Sequence, residues 1–125
     1  MWHKLFILVG GLAGCLGVAL GALSRHVYSQ RLDQIALATL ATASHYFLIH
    51  GVLLIAIAAW SRMLPDARLL RIAGILGVTG IMLFCGGLSL AAITGVEAYS
   101  AVAPAGGSAL MAAWLSLAVF GLTRY

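Results

Sequence analysis

Apolar runs of roughly 20 residues recur four times along this chain, the length a helix needs to cross a hydrocarbon core of about 30 Å. They cover about Leu5 to Leu23, Leu40 to Trp60, Ile72 to Thr94 and Pro104 to Thr123. A soluble domain of comparable size devotes about a quarter of its residues to charge. Here 8% of the 125 residues are charged and 63% are hydrophobic, with a mean hydropathy of +1.09, so a water-facing coat cannot be assembled. The expected fold class is all-α: one polytopic four-helix transmembrane domain over residues 1–125, with helices at about 5–23, 35–60, 70–94 and 104–123. The lipid bilayer is then the chain's main environment.

The few charges set orientation rather than recognise a polyanion. A sequence pI near 9.6 would suit nucleic acid only if the basic residues formed a patch, and they are scattered at segment ends, so no nucleic-acid partner is expected. Lys4, Arg62, Arg68, Arg71 and Arg124 fall on one side of a four-span topology, against Arg25 and Arg31 on the other, a bias of five to two. The positive-inside rule then puts both termini in the cytoplasm, and the expected location is the bacterial inner membrane. Glu97, the only acidic residue in the third loop, is expected to pair with Arg25 or Arg31.

The N-terminus carries a second pattern. Leu12-Ala13-Gly14-Cys15 fits a lipoprotein cleavage box, but the apolar run continues to Leu23, which suits a retained helix. Cys15 and Cys85 lie inside spans, where a thiol behaves as a small hydrophobe.

Small residues mark where helices can touch. Gly10, Gly14, Gly17 and Gly21 form two GxxxG pairs on the first helix, Gly86 and Gly87 sit in the third, and Gly106 and Gly107 open the fourth. Lipid supplies no hydrophobic drive for helix association, so close backbone approach through glycine has to supply packing. Contact within the bundle is the first expectation, and a homo-oligomer through one glycine face is compatible with it. Pro104 suits a first helical turn, and Asp66 is placed to cap the third helix.

Polar residues inside the spans are the candidates for function. Thr39, Thr42, Tyr46 and His50 follow at steps of three, four and four, which aligns them along one face of the second helix. This seam reaches from the outer interface to mid-membrane at His50. In one reading a neutral His50 hydrogen-bonds the first or third helix and serves packing. In another the seam lines a cavity for a lipid, quinone or other small molecule. In a third His50 ligates haem or metal, or acts as an acid–base catalyst. His45 and His50 stand about 140° apart around the helix and cannot grip one ion together. A second ligand would have to be His26, which sits near the outer interface. No nucleophile–base set, phosphate loop or intramembrane carboxylate is present, so no catalytic residue, metal or cofactor is expected.

Four motifs in order carry a likeness to a known family. They are "GALSRH" (21–26), "HYFLIHGV" (45–52), "LFCGGLSLAAITG" (83–95) and "APAGGSALMAAW" (103–114). The chain resembles the small membrane proteins of the domain-of-unknown-function family 423, related to eukaryotic transmembrane protein 256. That family reads approximately GAFGAH, RYQxYHAL, LFSGSLYLLALTG and TPIGGxxFxxGW. The matching positions include Gly21, Ala22, His26, Tyr46, His50, Phe84, Gly86, Gly95, Pro104, Gly106, Gly107 and Trp114. His45 replaces an arginine, Ser24-Arg25 replace Gly-Ala, and Cys85, Gly87 and Ser89 replace two serines and a tyrosine. The resemblance implies a four-helix integral membrane protein and brings no activity with it. The expected role is a non-enzymatic packing, accessory or interaction module, alone or as a subunit of a larger membrane complex. The alternative is a lipid-, quinone- or small-molecule-binding protein or transporter, and a haem protein or enzyme comes third.

Overall fold

The computed structural model describes residues 1–124. Helix α1 spans Trp2–His26 and α2 spans Gln34–Met63. The third span joins α3 (Arg68–Gly80), a π-turn (Ile81–Cys85) and α4 (Gly86–Thr94), and a 3-10 turn (Glu97–Val102) leads into α5 (Ala103–Arg124). Four helical stretches are long and apolar enough to cross a membrane: Trp2–His26, Gln34–Met63, Arg68–Thr94 and Glu97–Arg124. Among the described residues there is no strand.

The helices run past the apolar stretches that announce them, α1 starting at Trp2 rather than Leu5 and ending at His26 rather than Leu23. Their ends are fixed by backbone chemistry. Asp33 caps α2 by accepting the Ala36 N–H at 2.7 Å, filling one of the donor vacancies of a helix start. Asp66 does not cap the third helix: Ala67 occupies the cap position without a side-chain bond, which leaves Asp66 one residue too early. Gly95 closes the third span with a left-handed φ of 73°, the conformation that a glycine after a helix adopts at no steric cost.

Helix α1 packs along α2, the third span packs along α5, and the two pairs join where α2 meets the third span. Glycine sets the closest approaches. A Cβ at Gly10 would lie 2.8 Å from the Gly51 carbonyl oxygen, and one at Gly17 would lie 2.6 Å from Leu48. Beside Gly17, Ser44 donates its hydroxyl to the Gly17 carbonyl at 2.6 Å, a buried bond between helices. Phe6 is fully buried over the notch left by Gly74, so the segment ahead of Cys15 forms part of the core. Gly87 faces the Tyr99 carbonyl, and Gly106 abuts the backbone of Leu83 and Phe84. Gly21 and Gly107 are looser, with nearest approaches of 3.3 and 3.5 Å, and Gly14 and Gly86 leave open space where a Cβ would stand.

The π-turn decides what α4 presents. One extra residue in a turn rotates the following helix face by about 100° relative to an unbroken α-helix. Ile81 and Cys85 point into the core, while Phe84 meets the Tyr46 ring on α2 at a centroid distance of 4.8 Å. Among the described residues Glu97 forms no ion pair, with Arg25, Arg31 or any other cation. It begins the 3-10 turn instead, and its carbonyl accepts the Ser100 hydroxyl at 2.7 Å.

Glycine contact and glycine in open space make opposite forecasts. Gly106→Ala forces a methyl into the Phe84 backbone and should destabilise the protein by about 1–3 kcal/mol, the usual cost of overpacking. Gly86→Ala meets nothing and should be neutral or slightly stabilising, since alanine favours helix over glycine by up to about 1 kcal/mol. Thermal unfolding of the two variants in one detergent checks the pair, and equal effects would refute the assignment of Gly106 as the tight contact.

Candidate functional site

His50 lies near the midpoint of α2 and is 3% exposed. Its Nδ1 stands 2.9 Å from the Tyr46 carbonyl one turn earlier. Trp114, on α5, donates its indole N–H to His50 Nε2 at 3.1 Å. A carbonyl only accepts and an indole N–H only donates, so the hydrogen belongs on Nδ1 and the lone pair on Nε2. Both ring nitrogens are thereby satisfied, which removes the penalty for burying them unpaired. The partner on another helix is Trp114 of the fourth span, whereas the packing reading of the sequence placed it on the first or third helix.

Aromatic rings extend this pair into a wall. Tyr46 stacks on His50 at 5.5 Å with 16° between planes, and the His50 and Trp114 rings meet edge to face at 6.0 Å. The wall bounds an open cleft of about 710 Å³ between α2, the π-turn and α5, with Ile49, Phe84, Pro104, Leu110 and Met111 also lining it. That volume lies within the roughly 300–1,000 Å³ of small-molecule sites. From Pro104 to Trp114 the cleft descends ten residues of helix, about 15 Å. This is half of a hydrocarbon core of about 30 Å, the depth of a single leaflet.

The cleft carries no charge. No Lys, Arg, Asp or Glu lines it. The Ser100 and Ser108 hydroxyls return to the Glu97 and Pro104 carbonyls. The Tyr46 hydroxyl has no hydrogen-bond partner among the described residues, so it is the polar atom left for an occupant. Such a surface accommodates hydrocarbon and planar rings and offers one hydroxyl to a polar head.

The five side chains marked out in the sequence part company here. Tyr46 and His50 line the cleft. Thr39 and Thr42 lie on the same helical line but return their hydroxyls to Ile35 and Ala38, at 3.0 and 3.1 Å, and line no part of it. His26 ends α1 on the outside of the bundle, away from the cleft. As site residues Phe84 and Trp114 were visible only as matching positions of the family motifs, and Pro104 only as such a match and as a helix-start residue, because periodicity on one helix says nothing about a partner on another. Among the described residues no three His, Cys, Asp or Glu side chains cluster as metal ligands would.

Residues 20–107 match a family model described as a protein of unknown function, DUF423. The chain is 29% identical over 116 residues to the UPF0382 membrane protein YwdK of Bacillus subtilis, spanning 93% of this chain and 94% of that one. It is 31% identical to a UPF0382 membrane protein of Staphylococcus haemolyticus, over 93% of each chain. A UPF0382 membrane protein of Haemophilus influenzae is 32% identical, over 94% of this chain and 93% of that one. No solved structure matches the chain significantly.

The tautomer is directly measurable. Imidazole 15N shifts of histidine-labelled protein should show His50 with a protonated Nδ1 and a bare Nε2. Trp114→Phe should move the Nε2 resonance and cost about 0.6–2 kcal/mol, the range for a hydrogen bond within a membrane. A protonated Nε2 in the unaltered protein would rule out the Trp114 bond.

Proposed function

Because the chain belongs to the DUF423 family of membrane proteins, we propose that it is a non-enzymatic binding module of the bacterial inner membrane, whose α2–α5 cleft receives an amphiphile from one leaflet. The observation that carries this reading is the uncharged cleft of about 710 Å³ walled by Tyr46, His50, Phe84 and Trp114. Its depth suits a lipid, a quinone or a comparable small molecule with a polar head and an apolar tail. Binding is favoured over catalysis because both His50 nitrogens are engaged and the Ser100 and Ser108 hydroxyls donate to the Glu97 and Pro104 carbonyls rather than to a base. The same engagement speaks against haem ligation, since an axial iron would need the Nε2 lone pair that Trp114 uses.

A homo-oligomer is the second reading, compatible with the first. Gly11 and Gly14 on α1 meet no atom within 4 Å where a Cβ would stand, so a helix of another copy has room to approach there. The exposed Cys15 on the same helix gives a native cross-linking handle for that contact.

Both termini are assigned to the cytoplasm on the five-to-two charge bias. Reporters fused after Tyr125, which lies outside the described residues, should read cytoplasmic, and reporters placed within 95–103 should read periplasmic. The reverse pattern would invert the sidedness.

The binding reading is tested by filling the cleft. Ser108 is exposed at the cleft margin, so Ser108→Trp should occupy space without disturbing the core. After mild detergent extraction, mass spectrometry should find an amphiphile on the unaltered protein, and the variant should retain its thermal stability and lose the bound molecule. Identical co-purifying species, or none on either protein, would return the accessory-module reading to first place.

A further inference from the structure

At the opposite end of the bundle from the cleft mouth, a second recess gathers hydrogen-bond donors. It measures about 210 Å³ and lies between the first turn of α1 and the turn joining α2 to α3, lined among others by Trp2, His3, Ser61, Pro65, Ala67 and Arg71. Organic ligands usually need 300 Å³ or more, so this volume suits a small polar group.

Ser61 is the first sign that something belongs there. Thr39, Thr42, Thr79, Ser89 and Ser116 each return their hydroxyl to the carbonyl four residues earlier. The Ser61 hydroxyl makes no such bond and is buried without a partner, an exception that in native structures calls for an explanation. Arg71 carries five N–H donors and forms no ion pair among the described residues. Lys4 and Arg62 stand close enough to His3 to add positive potential. No carboxylate lines the recess; Asp66, next along the turn, opens into neighbouring hollows beside Arg124. The uncapped start of α3 lies at Ala67, and a helix start favours negative charge. Trp2 and Trp60, both exposed at this end, are rings of the kind found at headgroup level.

A recess rich in donors, without an anionic partner, is complementary to an anion with several acceptor oxygens. We propose that it binds a phosphate group, either the phosphodiester of a lipid headgroup or free phosphate, through Arg71 and Ser61 with His3 at the rim. Basic pockets between helices at the cytoplasmic membrane surface recognise lipid headgroups in this way. The site is separate from the α2–α5 cleft and stands or falls independently of it.

The test uses the full chain in nonionic detergent with three probes: phosphatidylglycerol and a diacylglycerol of the same chains, counted by native mass spectrometry, and inorganic phosphate, read by thermal shift. Phosphatidylglycerol should bind in preference to diacylglycerol, or inorganic phosphate should stabilise the protein. The first result identifies a headgroup and the second a free ion. Arg71→Gln should weaken whichever binding occurs about tenfold, the loss of one charged hydrogen bond, and Ser61→Ala should weaken it several-fold. Arg124→Gln removes the same charge at the same end and should leave binding unchanged. If Arg71→Gln fails to fold, Ser61→Ala against Arg124→Gln decides alone. Equal losses in the recess and control variants would show diffuse surface charge and overturn the site, as would no response to any phosphate probe.

Discussion

The bundle depends on backbone meeting backbone where Gly10 crosses Gly51, with room for no side chain between them. In lipid the helices gain nothing by hiding apolar surface from one another, so van der Waals contact at short range has to hold them. That contact seats α1 along α2 and lets Ser44 reach the Gly17 carbonyl. It also orients α2. Gly51 and His50 are adjacent in sequence and about 100° apart around the helix. When Gly51 faces α1, His50 is turned toward Trp114 on α5.

The site is consequently built from the side of α2 that glycine does not use. His50 and Trp114 bridge α2 and α5 at mid-depth, and above them the helices leave the cleft open toward the α5 start. The π-turn completes the enclosure by bringing Phe84 against Tyr46, while Gly106 admits the Phe84 backbone close to α5. An unbroken α-helix through Ile81–Cys85 would point Phe84 elsewhere, so the irregularity of the third span and the shape of the cleft are one feature.

How much of this was legible in the sequence follows from what each signal can carry. Four apolar runs in a chain with so few charges leave no alternative to spanning helices, and its relatives carry the name of membrane proteins. The polar seam was half legible. Period alone places Thr39, Thr42, Tyr46 and His50 on one line, but a threonine hydroxyl finds its own helix carbonyl within reach, and the two threonines do so. The partner of His50 lies 64 residues away, beyond any local pattern. The π-turn was not legible, because its residues Ile-Met-Leu-Phe-Cys suit an ordinary helix and no local residue marks the extra position. Glu97 and Asp66 show the same limit for charge: side of the membrane and nearness in sequence do not specify which groups meet.

The arrangement of the spans as two neighbour-in-sequence hairpins bears on how the protein is made. The most extensive helix contacts, α1 with α2 and α3 with α5, involve segments that leave the ribosome close together. Chains dominated by sequence-local contacts close short loops and assemble quickly, and synthesis delivers N-terminal elements first. The first hairpin can therefore lock its glycine seam while the third span is still being translated. Docking of α2 on the third span can follow as soon as that span is made, whereas the bond from Trp114 to His50 has to await α5. Of these contacts, the one between His50 and Trp114 is then among the last to become possible, and the cleft has its second wall only when α5 arrives.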